Sequence, residues 1–307
     1  MKQDKLRIGV IGVGHLGEYH VQKYKAIPEV ELVGVVDTDP DRAREIAQRY
    51  NTRAYGEHHR ILPAVDAVSL AVPTEKHFDV AKNILSEGVH LLIEKPITYH
   101  LEPADTLINM ARKNNLILQV GLVERFNPAV VRMESMLNRP IFIESQRMHL
   151  FTTRGTDVDV VLDLMIHDLV GMSVITGKTD IANVRMIFEN GTVGNLTASR
   201  VSEKMLRKIR IFQPDAYLAV DCLKREISVI RLDGNVKDSN CFPQMTSNTM
   251  TYPDSDPLAD QIASFVNAVI NGSRPVVTGS DGRNALRVAL AIIDQIESGC
   301  RNFQTIS

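Results

Sequence analysis

Two patterns of apolar and polar positions follow one another along the chain. From Leu6 to about Gly121, short β-branched apolar runs alternate with longer helical patterns, which is typical of βαβ units around a parallel sheet. The runs are apolar almost throughout, as expected for strands covered on both faces. We predict strands at 7–11, 30–36, 67–70, 90–93 and 116–120, with helices over 40–50, 76–87 and 102–114.

After Gly121 the pattern changes to alternating segments joined by turn sequences, which predicts a mostly antiparallel sheet. Its strands are predicted at 141–149, 183–188, 192–201, 207–212, 217–222 and 226–232. Helices are predicted over 158–176, 257–271 and 282–298, and the polar stretch 233–256 is predicted to be a loop. The chain therefore reads as an α/β domain over 1–122 and an α+β domain with an open sheet over 123–307.

Composition and charge narrow the class of protein. The chain is 44% hydrophobic and 23% charged, which is typical of globular proteins. Its length of 307 residues favours two domains. A net charge of -2 provides no field for holding nucleic acid, and no apolar stretch reaches the length of a membrane span, so neither partner is expected. Three cysteines without a CxxC pair favour a reducing, cytoplasmic location.

A GxGxxG motif formed by Gly12, Gly14 and Gly17 follows the first predicted strand and opens a helix. Gly12 permits a tight turn, Gly14 lets the backbone approach a pyrophosphate, and Gly17 allows the helix and strand to pack closely. Asp37 ends the second strand, where a carboxylate can bind the adenosine ribose. Because Thr38 follows it instead of Arg or Lys, the sequence predicts a Rossmann domain that prefers NAD over NADP.

Further candidate residues follow two other strands and lie in the second domain. They are the segments Val72-Pro73-Thr74 with His77, Glu94-Lys95-Pro96, and Asp163-Leu-Met-Ile-His167-Asp168. Ligands bind at the carboxyl ends of parallel strands, where the first two segments stand. Together with the glycine motif and Asp37, these segments resemble the glucose-fructose oxidoreductase, inositol dehydrogenase and MocA family over nearly the whole chain.

The resemblance implies that Lys95, Asp163 and His167 are the catalytic residues. Residues four apart on a helix share a face, so Asp163 can orient the His167 ring. Histidine titrates near neutral pH and is suited to take the hydroxyl proton as hydride leaves. Lys95 would polarise the substrate oxygen or relay the proton, and both roles stay open. The alternative for His167 is a purely stabilising pair with Asp163.

The residues predicted to bind cofactor or substrate lie in loops after the strands or at the start of the second domain. Those for the cofactor are Gly12, Val13, Gly14, His15, Leu16, Gly17, Asp37, Thr38, Val72, Pro73, Thr74, His77, Glu94, Lys95 and Pro96. Those for the substrate are Lys95, Arg125, Asn127, Asp163 and His167. No third ligand accompanies the Asp163 and His167 pair, so no metal site is expected.

The run 120–130, which contains Arg125 and Asn127, resembles that of family members acting on UDP-N-acetylglucosamine, which oxidise the sugar at C3. Arg125 would meet a phosphate or the cofactor, and the alternative is a domain-linking salt bridge. Many relatives have glycine and an acidic residue where this chain has Met165 and Val170, which leaves the substrate contacts at those positions open.

The function predicted from these residues is that of an NAD(P)-dependent dehydrogenase acting on a CH–OH group of a sugar, with a nucleotide sugar as the leading substrate. One alternative is an inositol or free-sugar dehydrogenase. Another is a non-catalytic, NAD-dependent sensor or regulator. Because an antiparallel sheet with a free face often forms a subunit interface, we also expect a homodimer or homotetramer through the C-terminal sheet.

Overall fold

The computed structural model describes residues 5–150, 161, 180–232 and 245–303, and contacts divide the chain into two compact units. The first unit contains Met1–Val123 and Asp256–Leu286, and the second contains Glu124–Ser255 and Arg287–Ser307. Residues 256–286 thus belong to the first unit, whereas the sequence predicts a single domain boundary near residue 122. The cause is apolar packing, because Ile262, Phe265 and Val266 are buried in the core of the first unit.

The first unit is built around a parallel sheet of six strands within the described residues. They are β1 (Leu6–Ile11), β2 (Val30–Val36), β3 (Arg53–Tyr55), β4 (Ala67–Leu70), β5 (His90–Glu94) and β6 (Leu118–Gly121), in the order β3-β2-β1-β4-β5-β6. This is the doubly wound Rossmann order, and it confirms the predicted fold class. The strand β3 was not predicted, because three largely exposed residues show no apolar run.

The helices of the described residues are α1 (His15–Lys25), α2 (Pro40–Arg49), α3 (His77–Ser86), α4 (Leu101–Lys113), α5 (Pro128–Glu134), α6 (Pro257–Asn271) and α7 (Gly279–Phe303). Short 3-10 turns lie at His58–Arg60, Leu62–Ala64, Thr74–Lys76 and Val123–Phe126. Asp39 caps α2 by accepting hydrogen bonds from the backbone N–H groups of Asp41 and Arg42, as its position before Pro40 predicts. Among these helices, none is both long and apolar enough to cross a membrane.

The second unit contains a sheet of seven described strands, all antiparallel to their neighbours except the parallel pair β7 and β9. They are β7 (Phe142–Met148), β8 (Ile181–Ile187), β9 (Val193–Ser199), β10 (Leu206–Gln213), β11 (Ala216–Asp221), β12 (Glu226–Leu232) and β13 (Met245–Thr251), in the order β13-β12-β11-β10-β7-β9-β8. The mostly antiparallel sheet is confirmed.

Two features of this unit differ from the sequence analysis. Within the stretch 233–256, predicted to be a loop, Met245–Thr251 form the edge strand β13, and there the prediction was wrong. Residues 233–244 lie outside the described residues. The strand is polar and exposed and pairs with β12 through its backbone, so it has no apolar face to signal it. The helix α5 was also not predicted, and it packs Ala129, Val130 and Met133 against one face of the sheet. Except for Val161, the helix predicted over 158–176 lies outside the described residues.

Candidate functional site

The loop after β1 is shaped by the three glycines of the motif. Gly12 has φ +82°, and a Cβ there would lie 2.7 Å from the carbonyl oxygen of Ala71, so a side chain would meet both strain and the loop after β4. A Cβ on Gly17 would overlap the carbonyl oxygen of Gly12. Beside Gly14, by contrast, no atom of the described residues lies within 4 Å of such a Cβ. Two glycines thus close the turn, and the middle one leaves room for a ligand.

The N-terminus of α1 offers backbone donors at this open position. Gly14 is the N-cap of α1 and has no side chain to accept from the first-turn N–H groups, which a bound phosphate can use instead. His15 is exposed and its ring stands edge-on to that of Tyr19, with 5.0 Å between the ring centroids. Leu16 is half-buried and Val13 is fully buried. The arrangement can hold an anion through the backbone.

Asp37 and Arg42 each bind the backbone of Val13. The N–H of Val13 donates to Oδ2 of Asp37 at 2.9 Å, and Nε of Arg42 donates to the carbonyl oxygen of Val13 at 2.8 Å. Arg42 is also bound to the carboxylates of Glu45 and Glu18, and these hydrogen bonds raise the pKa of Arg42. The loop is therefore fastened to the end of β2, with the Asp37 carboxylate beside it and Thr38 exposed.

His77 connects the loops that follow β4 and β5. Its Nδ1 lies 2.8 Å from the carbonyl oxygen of Pro96 and its Nε2 lies 3.0 Å from that of Val72. The side chain is buried, and this burial lowers the pKa of His77 despite both carbonyl contacts. Both ring nitrogens are engaged by backbone, so His77 can fix the positions of Val72 and Pro96. Between these loops and α3, Pro73 is exposed and Thr74 is half-buried.

Lys95 stands directly after β5 and is half-buried, whereas Glu94 before it and Pro96 after it are buried. The carboxylate of Glu94 lies under the loop, with Oε1 3.2 Å from Nε2 of the buried His20. Its Oε2 accepts a hydrogen bond of 3.3 Å from the backbone N–H of Lys95. The loop thus carries a cation at its tip and a buried carboxylate at its base.

The predicted substrate residues of the second unit have partners within that unit. Asn127 caps α5 by accepting from the N–H of Ala129, and its Nδ2 donates to Glu124 at 3.2 Å and to the carbonyl oxygen of Cys222 at 3.0 Å. Arg125 is exposed and forms a salt bridge with Glu134. Asn127 is therefore engaged structurally in this arrangement, and Arg125 remains on the surface. Asp163 and His167 lie outside the described residues.

Two residues with clear contacts at the site, His20 and Arg42, were missed in the sequence analysis. His20 lies three positions after Gly17 and four before Tyr24, so all three share the buried face of α1. That spacing would have marked His20 as buried, although not which carboxylate it meets. The part of the chain that the structure describes contains no cluster of three His, Cys, Asp or Glu side chains suited to a metal.

The sequence and the fold of the chain are similar to those of known oxidoreductases. Residues 6–122 match the model of an oxidoreductase family with an NAD-binding Rossmann fold. The chain is 38% identical to UDP-N-acetylglucosamine 3-dehydrogenase from Acidithiobacillus ferrooxidans, over 95% of this chain and 98% of that protein. A solved structure of the enzyme of that name from the same organism has a TM-score of 0.89 and 37% identity, and covers 96% of this chain and 99% of that one.

More distant relatives share the length of the chain. Myo-inositol 2-dehydrogenase from Thermotoga maritima is 25% identical over 95% of this chain and 96% of its own. Levoglucosan dehydrogenase, solved with NADH and levoglucosan, has a TM-score of 0.83 at 17% identity, covering 96% of this chain and 98% of that one. At 17% identity, the likeness to levoglucosan dehydrogenase shows the fold alone.

Proposed function

Because the chain belongs to the glucose-fructose oxidoreductase, inositol dehydrogenase and MocA family of NAD-binding oxidoreductases, we propose that it oxidises a nucleotide sugar of the UDP-N-acetylglucosamine type at C3. The enzyme is a nicotinamide-dependent dehydrogenase that acts on CH–OH groups. The observation that carries the choice of substrate is the 38% identity to UDP-N-acetylglucosamine 3-dehydrogenase along nearly the whole of both chains. The inositol dehydrogenases match at lower identity, for example 25%.

The contacts of the first unit support a role in holding NAD. The open position beside Gly14 and the uncapped N-terminus of α1 suit the pyrophosphate. The Asp37 carboxylate suits the two hydroxyl groups of an adenosine ribose and would repel a 2′-phosphate. Arg42 contacts the glycine loop on the side of β2. Its guanidinium group is already bound to Glu18 and Glu45, and this also argues for NAD over NADP.

When bound, NAD supplies the acceptor for the hydride that leaves C3 of the sugar. The C3–H bond breaks with its electron pair, the O–H bond loses its proton to a base, and the carbon–oxygen bond becomes a carbonyl. We propose that the ammonium group of Lys95 orients and polarises the reacting oxygen. His167, oriented by Asp163, takes the proton, as the family resemblance implies.

The cation of Arg125 fits a substrate that carries phosphates. Guanidinium groups bind phosphate oxygens well, and Arg125 is exposed on the 3-10 turn Val123–Phe126. We propose that it contacts the diphosphate of the nucleotide sugar, in exchange with its salt bridge to Glu134. A free sugar or an inositol would lack this interaction.

The test is turnover of purified protein with NAD and a panel of substrates, followed at the absorbance band of reduced nicotinamide. The panel contains UDP-N-acetylglucosamine, UDP-glucose, N-acetylglucosamine and myo-inositol, with hydrazine present to trap the carbonyl product. We expect the highest kcat/KM with UDP-N-acetylglucosamine. With substrate deuterated at C3, we expect the label in the reduced cofactor, which identifies the carbon oxidised. Turnover with myo-inositol alone would overturn the proposal.

We further propose that the enzyme is a cytoplasmic homo-oligomer that associates through the face of the second sheet opposite α5. Aligned across that face is a largely apolar row, formed by Ile187, Val193, Phe142, Phe212, Tyr217 and Ile230. The Phe212 ring lies 4.8 Å from that of Tyr217 between ring centroids, yet Phe212 is 43% exposed. Light scattering should give a dimer or tetramer, and Phe212→Asp should dissociate it. A monomeric wild type would contradict the assembly.

A further inference from the structure

A buried carboxylate and a buried imidazole face each other immediately below the loop that carries Lys95. Glu94 is 7% exposed and His20 is fully buried, and the distance from Glu94 Oε1 to His20 Nε2 is 3.2 Å. Gly121, the neighbour of Glu94 in β6, has no room for a Cβ because the carboxylate occupies that space. A glycine at position 121 therefore leaves the space at the end of β6 that the Glu94 carboxylate occupies.

The imidazole of His20 has one ionic contact among the described residues. Within the described residues, neither ring nitrogen of His20 forms a well-aligned hydrogen bond, and Glu94 is its ionic contact. Tyr24, one turn further along α1, instead bonds to Ser69, with 2.7 Å between the two oxygens. An unpaired buried charge is costly, so the proximity of carboxylate and imidazole indicates a pair that shares one proton.

We propose that Glu94 and His20 form a positioning pair for Lys95, in which the buried carboxylate of Glu94 holds the loop that carries the Lys95 ammonium group. The inference rests on the proposed function, because it assigns Lys95 to the reaction. Oε2 of Glu94 accepts a hydrogen bond of 3.3 Å from the backbone N–H of Lys95, and the two residues are adjacent in the chain. The loop is thus fastened at the residue that carries the cation, while the other carboxylate oxygen of Glu94 contacts His20.

The charges around Glu94 agree with this arrangement. Burial alone would raise the pKa of Glu94, but its contact with His20 and the charge of Lys95 lower it overall. Among the described residues, Tyr24 on α1 and His77 on α3 are the other titratable groups that face Glu94. Burial raises the pKa of Tyr24 and lowers that of His77, and the charge of Glu94 raises both to a smaller extent, so both groups favour the neutral form near pH 7. His20 and Lys95 remain as the partners that stabilise the carboxylate.

The experiment compares wild type with Glu94→Gln and with Glu87→Gln, an exposed control at the end of α3. Competitive acetylation of Lys95 over a pH series, read by mass spectrometry on the protein without cofactor, reports on the surroundings of its ammonium group without any need for turnover. We expect Glu94→Gln to change the acetylation profile of Lys95 and Glu87→Gln to leave it as in wild type. An unchanged Lys95 profile in Glu94→Gln would overturn the proposal.

Turnover and stability provide two further readouts. In Glu94→Gln we expect kcat to fall about tenfold with little change in KM for the sugar. Since the pKa of Glu94 is lowered in the folded state, its stabilising effect is present at neutral pH and is lost as pH falls through that lowered pKa. A loss of stability with an unaltered kcat would indicate a merely structural carboxylate.

Two more variants test the proposal in case Glu94→Gln does not fold. His20→Asn leaves the carboxylate without its partner, so the acetylation profile of Lys95 should change as it does in Glu94→Gln. Glu94→Asp keeps the carboxylate and should restore most of the wild-type profile and kcat. If wild type turns over no sugar, the proposed function fails, while the acetylation of Lys95 still decides whether Glu94 and His20 position it.

Discussion

Each compact unit contains a buried glutamate near a loop, and the two glutamates differ in their partners. Glu94 in the first unit is 7% exposed and faces His20, whereas Glu124 in the second is 9% exposed and faces two arginines. The distances from Glu124 Oε1 are 3.0 Å to Nη2 of Arg147 and 3.3 Å to Nη1 of Arg207. An imidazole can release its proton near neutral pH, but a guanidinium cannot.

The difference in partners implies a difference in role. Arg147 and Arg207 are opposite each other on β7 and β10, and Glu124 binds both, so it joins the turn Val123–Phe126 to two strands with charges that never change. The first pair lies directly beside Lys95, whose backbone N–H donates to Glu94. We therefore expect substitutions around Glu94 to act on turnover and substitutions around Glu124 to act on stability.

Lys95→Ala should have the largest effect on turnover. Removing a group that polarises the reacting oxygen or relays its proton should lower kcat by about 10²- to 10⁴-fold. The free energy of unfolding should change by less than about 0.5 kcal/mol, because the side chain is half-buried at a loop tip. Initial rates measure turnover and denaturant unfolding measures stability, with the exposed Lys113→Ala as control. Turnover retained in Lys95→Ala would remove Lys95 from the mechanism.

Glu124→Gln should have the largest effect on stability. It removes the carboxylate shared by two arginines, one of them buried, and we expect a loss of about 3 kcal/mol in the free energy of unfolding. The kcat of the molecules that remain folded should stay within about twofold. Denaturant unfolding measures the loss. The matched control is Glu134→Gln, whose exposed salt bridge should contribute about 0–1 kcal/mol. Equal losses in both variants would contradict the comparison.

The contrast also explains how much could be predicted from the sequence. Strands such as β4 and β5 are buried on both faces, so continuous apolar runs reveal them. The strand β13 is polar, because it is an exposed edge that pairs through its backbone, and no local pattern distinguishes it from a loop. The helix α6 was found, but its place in the core of the first unit depends on distant residues.

The same distinction applies to the site. The restrictions on Gly12 and Gly17 arise from segments close to them in the chain or in the sheet, so their spacing predicts them. The pairing of His20 with Glu94 depends on how α1 lies over β5, and that of Arg42 with Val13 depends on how α2 meets the glycine loop. Such contacts join residues that are far apart in sequence, and spacing alone cannot predict them.

Asp37→Asn tests the cofactor end of the first unit with a smaller change. The amide keeps the size of the carboxylate but removes its charge and one of its acceptors, so the affinity for NADH should fall about tenfold. The affinity for NADPH should fall less, because a 2′-phosphate no longer meets a negative charge. Fluorescence titration with both cofactors measures the ratio, and Asp41→Asn, exposed in the first turn of α2, is the control. An unchanged ratio would mean that Asp37 does not select the cofactor.

Arg125→Gln should give the smallest effect, and it separates a surface ion pair from a contact with substrate. Losing the exposed pair with Glu134 should cost less than about 1 kcal/mol of unfolding free energy. If Arg125 also contacts the diphosphate, KM for the nucleotide sugar should rise about threefold in Arg125→Gln but not in Glu134→Gln, which keeps the cation. A common KM in the two variants would leave Arg125 with a structural role alone.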